Sequence, residues 1–388
     1  MLLQNKRIAI VGGGPGGLTL ARLLQLKGLD VKVYERDINK DARVQGSPLD
    51  LHKDSGLAAL RKANLLNEFK KNFLSGADKK VIVNERAEIF FSDHENKQDE
   101  NFDDEGFRPE IDRGVLRKIL LESLQAETLV WDSCFVSMEN QDKGWLLRFQ
   151  NGTNAYADLV IAADGANSKI RPYITKIKPF YSGITMLEGN VYNAEKSAPQ
   201  VSALLRGGKI LAFGNQKDIL LGQKANGEIG FYASFKADEN WVAESGLDFS
   251  DKTQLLAWFK RDYSEWVSLW DELFENASTP FIPRPIYCMP LDQYWEALPN
   301  LTMLGDAAHV MPPFAGEGVN MAMLDALELS ESMTDKYNTL QDAISFYEIN
   351  MRKRAAIMAQ ESLENGERMH NEKALATMLE FFSGHANR

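Results

Sequence analysis

The chain has 388 residues, a hydrophobic fraction of 44% and a net charge of −11 at pH 7, which predict a globular protein with one large or two modest domains. The negative charge argues against an electrostatic nucleic-acid partner, and Cys134 and Cys288 are too few cysteines for a disulfide framework. The sequence shows no secretory signal and no apolar run of about 18 residues, so we expect a cytoplasmic protein with no integral membrane segment. Its histidines are not at metal-ligand spacing, so we expect no bound metal.

The amino-terminal segment alternates strand, helix and strand. Ile8 to Val11 is typical of a short buried strand, Leu18 to Lys27 carries apolar residues at helical spacing, and Val31 to Tyr34 is typical of a second strand. A glycine-rich turn joins the first strand to the helix. The segment therefore predicts the βαβ start of a nucleotide-binding fold.

That turn contains the pattern G-x-G-x-x-G at Gly12, Gly14 and Gly17, and Glu35 follows the second strand. The first glycine permits the tight turn, the second lets the backbone approach a pyrophosphate, and the third lets the helix pack against the strand. Free N–H groups at the start of the helix favour the phosphates, and the carboxylate of Glu35 can accept from a ribose hydroxyl. The pattern predicts an ADP-containing cofactor without choosing between NAD and FAD.

Further strands follow in this first half. Residues 98–105 are acidic and predict an exposed loop, and Leu116 to Leu124 has apolar residues at helical spacing. Trp145 to Phe149 and Ala157 to Ala162 predict strands, with a hairpin turn at Asn151-Gly152 between them. The second of these strands is nearly all apolar, as a buried parallel strand is.

From Phe180 to Pro290, short alternating strands separated by turn signals predict an antiparallel sheet. Gly207-Gly208 and Asn226-Gly227 are two-residue hairpin signals, so the segment VSALLRGGKILAFGN is interpreted as strands. Thr253 to Asn276 is interpreted as a helix whose tryptophans belong to the core rather than to a cofactor platform.

The carboxy-terminal part returns to the nucleotide-binding half. Leu301 to Leu304 predicts a strand, Gly305-Asp306 and a proline-glycine loop follow it, and helices begin near Val319 and at Leu340. We therefore expect an α/β fold, in which a Rossmann-like domain with a parallel sheet carries an inserted antiparallel-sheet domain and a long C-terminal helix. The expected boundaries are 1–178 and 286–338 for the nucleotide-binding domain, 179–285 for the inserted domain and 339–388 for the helix.

Three motifs in this order resemble the single-component aromatic-hydroxylase type of flavin monooxygenase, and the resemblance covers essentially the whole chain. They are Gly12–Gly17 with Glu35 and Arg36, Asp164-Gly165, and Gly305-Asp306. The segments VYERD, ARVQGSPLDLHKDSG, PEIDRGVLRKIL and GDAAHVMPPFAGEGVN are most similar to the tetracycline-inactivating branch of that family. The resemblance implies FAD as cofactor, NADPH as co-substrate, O2, a small aromatic or enol substrate, and a monomer.

In the resembled family, NADPH reduces the flavin, and a flavin C4a-hydroperoxide formed with O2 hydroxylates the substrate. The chemistry belongs to the cofactor, so no catalytic side chain is assigned. The resemblance places Asp306 on the ribityl chain or the neighbouring ribose, and Asp164 where FAD and NADPH both pass. The proline-glycine loop would turn its N–H groups to the N1/C2 edge of the flavin, through Gly316, Glu317, Gly318 and Val319.

Four further residues match cofactor contacts of that family. Arg36 would lie near the adenosine part, Arg43 would contact NADPH, and Asp50 and Arg113 would contact FAD. A surface salt bridge is the alternative interpretation for Arg43 and Asp50.

The substrate-facing positions of the tetracycline branch fall on the inserted sheet, where this chain carries other residue types. The matching residues are Glu188, Lys209 and Gly230, together with Phe314 of the proline-glycine loop. A carboxylate at this place predicts weaker binding of an enolate-rich ligand, which a lysine partly offsets. The substrate stays open among tetracyclines, other polycyclic phenols and enols, and His52 and His309 are interpreted as hydrogen-bonded structural histidines.

Two other function classes compete with this interpretation. One is a flavin-dependent reductase of the same fold that transfers no oxygen, and the other is an NAD-binding dehydrogenase or a cofactor-free binding module. The sequence has no second G-x-G-x-x-G, which argues against the two-dinucleotide-domain reductases and predicts that NADPH binds transiently on the FAD domain.

Overall fold

The computed structural model describes residues 2–42, 48–96 and 100–386. A five-stranded sheet with parallel pairing throughout is buried in the largest hydrophobic cluster and confirms the predicted βαβ start. Its strands, in spatial order, are Leu301–Met303, Leu159–Ala162, Ile8–Val11, Val31–Tyr34 and Leu129–Val130. The helix expected from Leu18 begins earlier, at Pro15, because the fixed φ of proline suits the first helical turn.

Two small sheets accompany the parallel one. Asn154–Ala157, Gly144–Phe149 and Phe135–Gln141 form an antiparallel sheet, and Leu49–Asp50 pairs with Glu110–Ile111. The strand predicted over 157–162 is in fact two strands, which meet at Asp158. The carboxylate of Asp158 accepts from the Arg7 N–H at 2.8 Å, so this residue anchors the chain between the two sheets.

A seven-stranded sheet forms the second half of the molecule. Its strands, in spatial order, are Ile282–Cys288, Phe180–Val191, Ile229–Lys236, Lys217–Gln223, Lys209–Gly214, Lys80–Asn84 and Ile89–Ser92. Most pairs are antiparallel, as predicted. One parallel pair, between Lys209–Gly214 and Lys80–Asn84, adds two strands that come from the amino-terminal part of the chain.

The two faces of this sheet have different partners. One face packs against a cluster that contains Trp258, Trp266 and Trp270, which confirms that these tryptophans belong to the core. The opposite face meets Phe314 and the C-terminal helix. This second face is therefore the one turned toward the proline-glycine loop.

Two local predictions in this half are wrong. Gly207-Gly208 is not a hairpin turn, because Pro199–Leu205 is a helix and Arg206 and Gly207 follow it with left-handed φ angles of 52° and 85°. Proline at the first helical position and glycine after the last are helix signals that outweigh the alternating pattern. Asn226-Gly227 does connect two antiparallel strands. The helix expected over 253–276 is interrupted after Asp262, where Tyr263, Trp266 and Trp270 turn into the core.

Helices cover the remaining surfaces. They span Pro15–Leu26, Gly56–Lys62, Leu66–Asn72, Arg113–Glu122, Ala194–Ser197, Pro199–Leu205, Trp241–Glu244, Lys252–Asp262, Asp271–Asn276, Asp306–His309, Gly318–Glu331, Leu340–Met369 and Ala374–Ala386. The predicted long C-terminal helix is thus a 30-residue helix followed by a shorter one. Over the described ranges, none of these helices is long and apolar enough to cross a membrane.

Candidate functional site

The glycine-rich turn is shaped by close backbone contacts at two of its three motif glycines. Gly12 has a φ of +116°, and a Cβ there would lie 2.1 Å from the carbonyl oxygen of Ala163. A Cβ at Gly17 would lie 2.2 Å from the carbonyl oxygen of Gly12. A Cβ at Gly14 would meet nothing within 4 Å. The first and third glycines are therefore needed by the fold, whereas the second leaves open space into which a ligand can approach the backbone.

Glu35 and Arg117 stabilise this turn through hydrogen bonds. Glu35 is 2% exposed, and its carboxylate accepts from the Gly13 N–H at 2.6 Å and from the Asp37 N–H at 3.0 Å. The Arg117 guanidinium donates to the Gly13 carbonyl at 3.4 Å and to the Asp37 carboxylate at 3.1 Å. Arg117 is a residue that the sequence analysis missed; the only signal was a basic residue on a helix that is otherwise apolar on that side. Arg36 is exposed beside the turn.

Asp164 and Asp306 come from separate strand ends and are joined by an arginine. The Arg171 guanidinium donates to the backbone carbonyls of Asp306 at 2.9 Å, Ala307 at 2.7 Å and Ala166 at 2.9 Å. Because Arg171 is buried, these three bonds fix the two aspartate turns against each other. Arg171 was not predicted as a site residue, since the Ala307 and Asp306 carbonyls lie 136 and 135 residues away in the chain.

Both aspartates keep unused hydrogen-bonding capacity. One oxygen of Asp164 accepts from the Lys169 N–H at 2.9 Å, while its Oδ1 is buried without a partner among the described residues. Desolvation by burial raises the pKa of Asp164. The side chain of Asp306 is exposed, yet surrounding protein raises its pKa by desolvation, against the opposing charges of His309, Arg113 and Arg171. An accessible carboxylate inside a protein-lined depression suits a ligand rich in hydroxyl groups.

Arg113 faces the same depression. It opens the helix Arg113–Glu122 and acts electrostatically on Asp306. Its Nε is buried without a hydrogen-bond partner in the described part of the chain. A buried unpaired donor is costly, so an anionic or carbonyl-bearing ligand in the depression would satisfy it.

A buried ion network stabilises the turn that carries Asp306. The carboxylate of Asp325 accepts from the Gly305 N–H at 2.9 Å and contacts His309 Nε2 at 2.6 Å and Arg354 Nη2 at 2.7 Å. Against desolvation by burial, the charge of His309 lowers the pKa of Asp325, and the charge of Asp325 raises the pKa of His309. His309 is therefore a hydrogen-bonded structural histidine, as predicted.

The loop at the start of the helix Gly318–Glu331 lies against Asp50. A Cβ at Gly316, which has a φ of +70°, would come within 3.5 Å of the Asp50 carboxylate. Asn320 ties the two segments together, since its side-chain amide donates to the Asp50 carbonyl at 3.0 Å and its oxygen accepts from the His52 N–H at 2.9 Å. Gly318 faces open space, and Val319 follows it in the first turn, so N–H groups at this helix start are available to a ligand.

His52 lies between two of the predicted site residues. Its Nε2 is 3.1 Å from Asp50 Oδ2, and its Nδ1 is 3.1 Å from Glu317 Oε1. These contacts confirm the predicted hydrogen-bonded structural histidine. They also put Asp50 in an ion pair, as its alternative interpretation expected, although this pair is partly buried rather than at the surface.

The three predicted substrate residues share one face of the seven-stranded sheet. In its register Asn190, Gly230, Gly222 and Lys209 are successive cross-strand neighbours, and Glu188 lies two residues along the strand from Asn190. Cross-strand neighbours project to the same side of a sheet. Phe314 packs against this same face, so the structure brings all four predicted positions to one side.

The charges on this face are paired. Glu188 is buried, with a side chain 5% exposed, and forms an ion pair with Arg284. The carboxylate that was expected to weaken binding of an enolate-rich ligand is therefore paired, and its partner is Arg284 rather than Lys209. Lys209 pairs with the buried carboxylate of Glu110 but keeps 37% of its side chain exposed. Lys209 is thus a cationic side chain that is paired with Glu110 and only partly exposed on this face.

Arg43, the residue assigned to NADPH, lies outside the described residues. Among the residues that the structure describes, no three histidine, cysteine, aspartate or glutamate side chains are arranged to hold a metal ion.

The site fits an extended nucleotide with hydroxyl groups, as FAD has. It offers open space at Gly14 and Gly318, an unpaired Asp164 oxygen and Arg113 donor among the described residues, and the accessible Asp306.

Comparison with known proteins agrees with this fit. A family model described as FAD binding domain matches residues 5–219 and 293–362. Monooxygenase asqM of Emericella nidulans is 29% identical over 389 aligned residues, which cover 86% of this chain and 85% of that protein. A Klebsiella pneumoniae HpxO variant complexed with FAD has a TM-score of 0.77 at 20% identity, covering 99% of this chain and 95% of the other. Tetracycline destructase Tet(55) has a TM-score of 0.74 at 18% identity, covering 95% and 90%.

Proposed function

Because this chain belongs to the FAD binding domain family and is a FAD-dependent monooxygenase of the aromatic-hydroxylase type, we propose that it uses NADPH to hydroxylate a polycyclic phenol or enol. Tetracyclines are the first class to test, since tetracycline destructases are among its structural neighbours. The overall reaction consumes NADPH, O2 and a proton, and yields NADP⁺, water and a substrate that carries one added oxygen. Bound FAD, once reduced, supplies the oxygen-activating chemistry that side chains lack.

The residues around the depression would bind and orient the cofactor. Gly14 leaves room for the pyrophosphate, and Asp306 accepts from hydroxyl groups of the cofactor. Asp164 and Arg113 offer the buried acceptor and donor that lack partners among the described residues. The accessible carboxylate of Asp306 beside these two groups is the observation that carries the FAD-binding assignment.

The face of the seven-stranded sheet would orient the substrate. Gly222 and Gly230 are cross-strand neighbours, so this part of the face lacks side chains and suits a flat ring system. Lys209 beside them is partly exposed, and its positive charge would attract a phenolate or enolate oxygen. Phe314 packs over the same face and helps to exclude water, which protects an oxygenating site from unproductive decay.

The paired charge of Glu188 changes the expected selectivity. Arg284 neutralises this carboxylate, so it does not repel an enolate-rich ligand as strongly as a free carboxylate would. Gly230 still lacks a side-chain donor, and an unmade polar contact costs about 1–3 kcal/mol. We therefore expect tetracycline binding to be weakened rather than abolished.

The test is an incubation of the FAD-loaded protein with NADPH, air and a panel of tetracyclines and other polycyclic phenols. We expect NADPH-dependent gain of one oxygen by at least one tetracycline, measured by mass spectrometry. In the matched variant Lys209→Met, the KM for that substrate should rise about tenfold while bound FAD stays constant. Oxygenation of another phenol with no tetracycline consumed would overturn the substrate class. NADPH oxidation without a mass gain anywhere in the panel would indicate a reductase.

A further inference from the structure

His52 forms a bridge between two segments that are far apart in the chain. One ring nitrogen faces Asp50, at the end of a short strand, and the other faces Glu317, just before the helix Gly318–Glu331. Asn320 joins the same two segments through their backbones. The bridge therefore closes the proline-glycine loop onto the segment that contains Asp50.

Both ring nitrogens must donate if both carboxylates are ionised, because carboxylates only accept. The ring is then an imidazolium held between two negative charges. Its side chain is 15% exposed, and those of Asp50 and Glu317 are 22% and 14% exposed, so water screens the three charges only partly. Other charges near the bridge act on its Asp50 end, where Lys209 and Arg108 are cationic and Glu110 is acidic.

The electrostatics follow from this arrangement. Hydrogen bonds to Asp50 and Glu317 and the charges of these two groups raise the pKa of His52 to about 9, against desolvation by burial. Against its desolvation by burial, the hydrogen bond and charge of His52 and the charges of Lys209 and Arg108 lower the pKa of Asp50 to about 2. At neutral pH, removal of the imidazolium charge would leave two carboxylates facing each other across the bridge.

We propose that His52 is a positioning residue which, as an imidazolium, holds Asp50 and Glu317 together and thereby sets the loop before Gly318 in the geometry that binds FAD. The proposal rests on the proposed function only in that FAD is the ligand; it does not depend on the substrate. His52 acts through its two neighbours, and its charge matters more than its shape.

The variants separate charge from shape. His52→Gln removes the charge but keeps a polar side chain, and we expect it to weaken FAD binding about tenfold at neutral pH. Glu317→Gln in addition removes one of the two carboxylates, so the double variant should recover most of that loss. His94→Gln is the matched control, because His94 contacts the Ser92 hydroxyl and should leave FAD affinity unchanged. The FAD dissociation constants are measured by titrating the apoproteins with FAD and monitoring the quenching of flavin fluorescence.

The pH dependence is a second readout that a purely structural role would not move. From about pH 7 to about pH 9.5 the wild-type protein loses the His52 charge, so the ratio of dissociation constants between His52→Gln and wild type should fall from about ten to about three or less. A ratio that stays constant, or additive effects of the two substitutions, would overturn the proposal. Failure of the wild-type protein to bind FAD would instead count against the proposed function.

Discussion

At the scale of single residues, the site is defined by polar groups that the protein itself leaves accessible or unpaired. Arg171 donates to the Asp306 carbonyl and Asp325 accepts from the Gly305 N–H, whereas the Asp306 side chain stays accessible. Arg171 and Asp325 therefore stabilise the turn, whereas Asp306 is the residue that would contact the ligand. This difference also predicts which substitution changes binding directly.

Asp306→Ala should weaken FAD binding roughly tenfold or more, because the variant loses a carboxylate that accepts from cofactor hydroxyls. The measurement is the FAD dissociation constant of the apoprotein, with the flavin content of the purified protein as a check. Arg43→Ala is the comparison, and it should keep FAD while raising the KM for NADPH. Equal loss of FAD in both variants would show that the two roles are wrongly assigned.

At the scale of elements, the glycine turn was predictable because its constraints are local. Gly12 has a φ of +116° and Gly17 meets the Gly12 backbone, so the motif reports these two constraints directly. Arg171, Arg117 and Asn320 were not predictable, because each acts on partners more than fifty residues away that only the tertiary fold brings near.

The wrong local predictions have a related cause. The alternating pattern before Gly207 was interpreted as strand, although Pro199 is a helix-start signal. The interruption after Asp262 carries no proline or glycine, and it follows from the packing of Tyr263, Trp266 and Trp270 with one another. Tertiary packing of this kind overrides helical periodicity, so the end of that helix could not be predicted from the segment alone.

Gly14→Ala and Gly17→Ala should separate the two uses of glycine in the turn. A Cβ at Gly17 would lie 2.2 Å from the Gly12 carbonyl oxygen, so this variant should lose about 1–3 kcal/mol of unfolding free energy. A Cβ at Gly14 meets open space, so its apoprotein should stay within about 0.5 kcal/mol of wild type while FAD binding weakens. Urea unfolding of the apoproteins and FAD titration measure the two effects. Normal FAD affinity in Gly14→Ala would mean that the cofactor does not approach this part of the turn.

At the scale of the whole molecule, a buried polar cluster joins the seven-stranded sheet to the C-terminal helices. The Ser234 hydroxyl donates to Asp218 Oδ1 at 2.5 Å and lies 2.9 Å from His370 Nε2. Asp218 Oδ2 is 3.2 Å from the same nitrogen, and the His370 ring packs edge-on against Phe314 at 5.5 Å. Sheet, long helix and proline-glycine loop therefore meet at one set of contacts, in which Asp218, Ser234 and His370 are fully buried.

This cluster should make the stability of the protein depend on pH through Asp218. Desolvation by burial raises the pKa of this carboxyl from 3.8 to about 6, although His370 and Ser234 oppose the shift. A carboxyl whose pKa is raised on folding contributes stability that is fully present below its unfolded pKa and is lost as pH rises through the folded value. Relative to Asp218→Asn, the wild-type protein should therefore gain about 1 kcal/mol of unfolding free energy between about pH 7 and pH 5.

Urea unfolding of both proteins at several pH values in that range measures the difference. Asp104→Asn is the control, since Asp104 is an exposed carboxylate of the acidic loop and its variant should follow the wild-type curve. A difference between wild type and Asp218→Asn that stays constant with pH would contradict the assignment. If the predicted slope is found, the contact between the substrate-side sheet and the C-terminal helices weakens as the buried carboxyl ionises. Protection of backbone amides in Ala374–Ala386 from hydrogen exchange should then fall as pH rises from about 5 to about 7. The exchange rates must first be corrected for their intrinsic pH dependence.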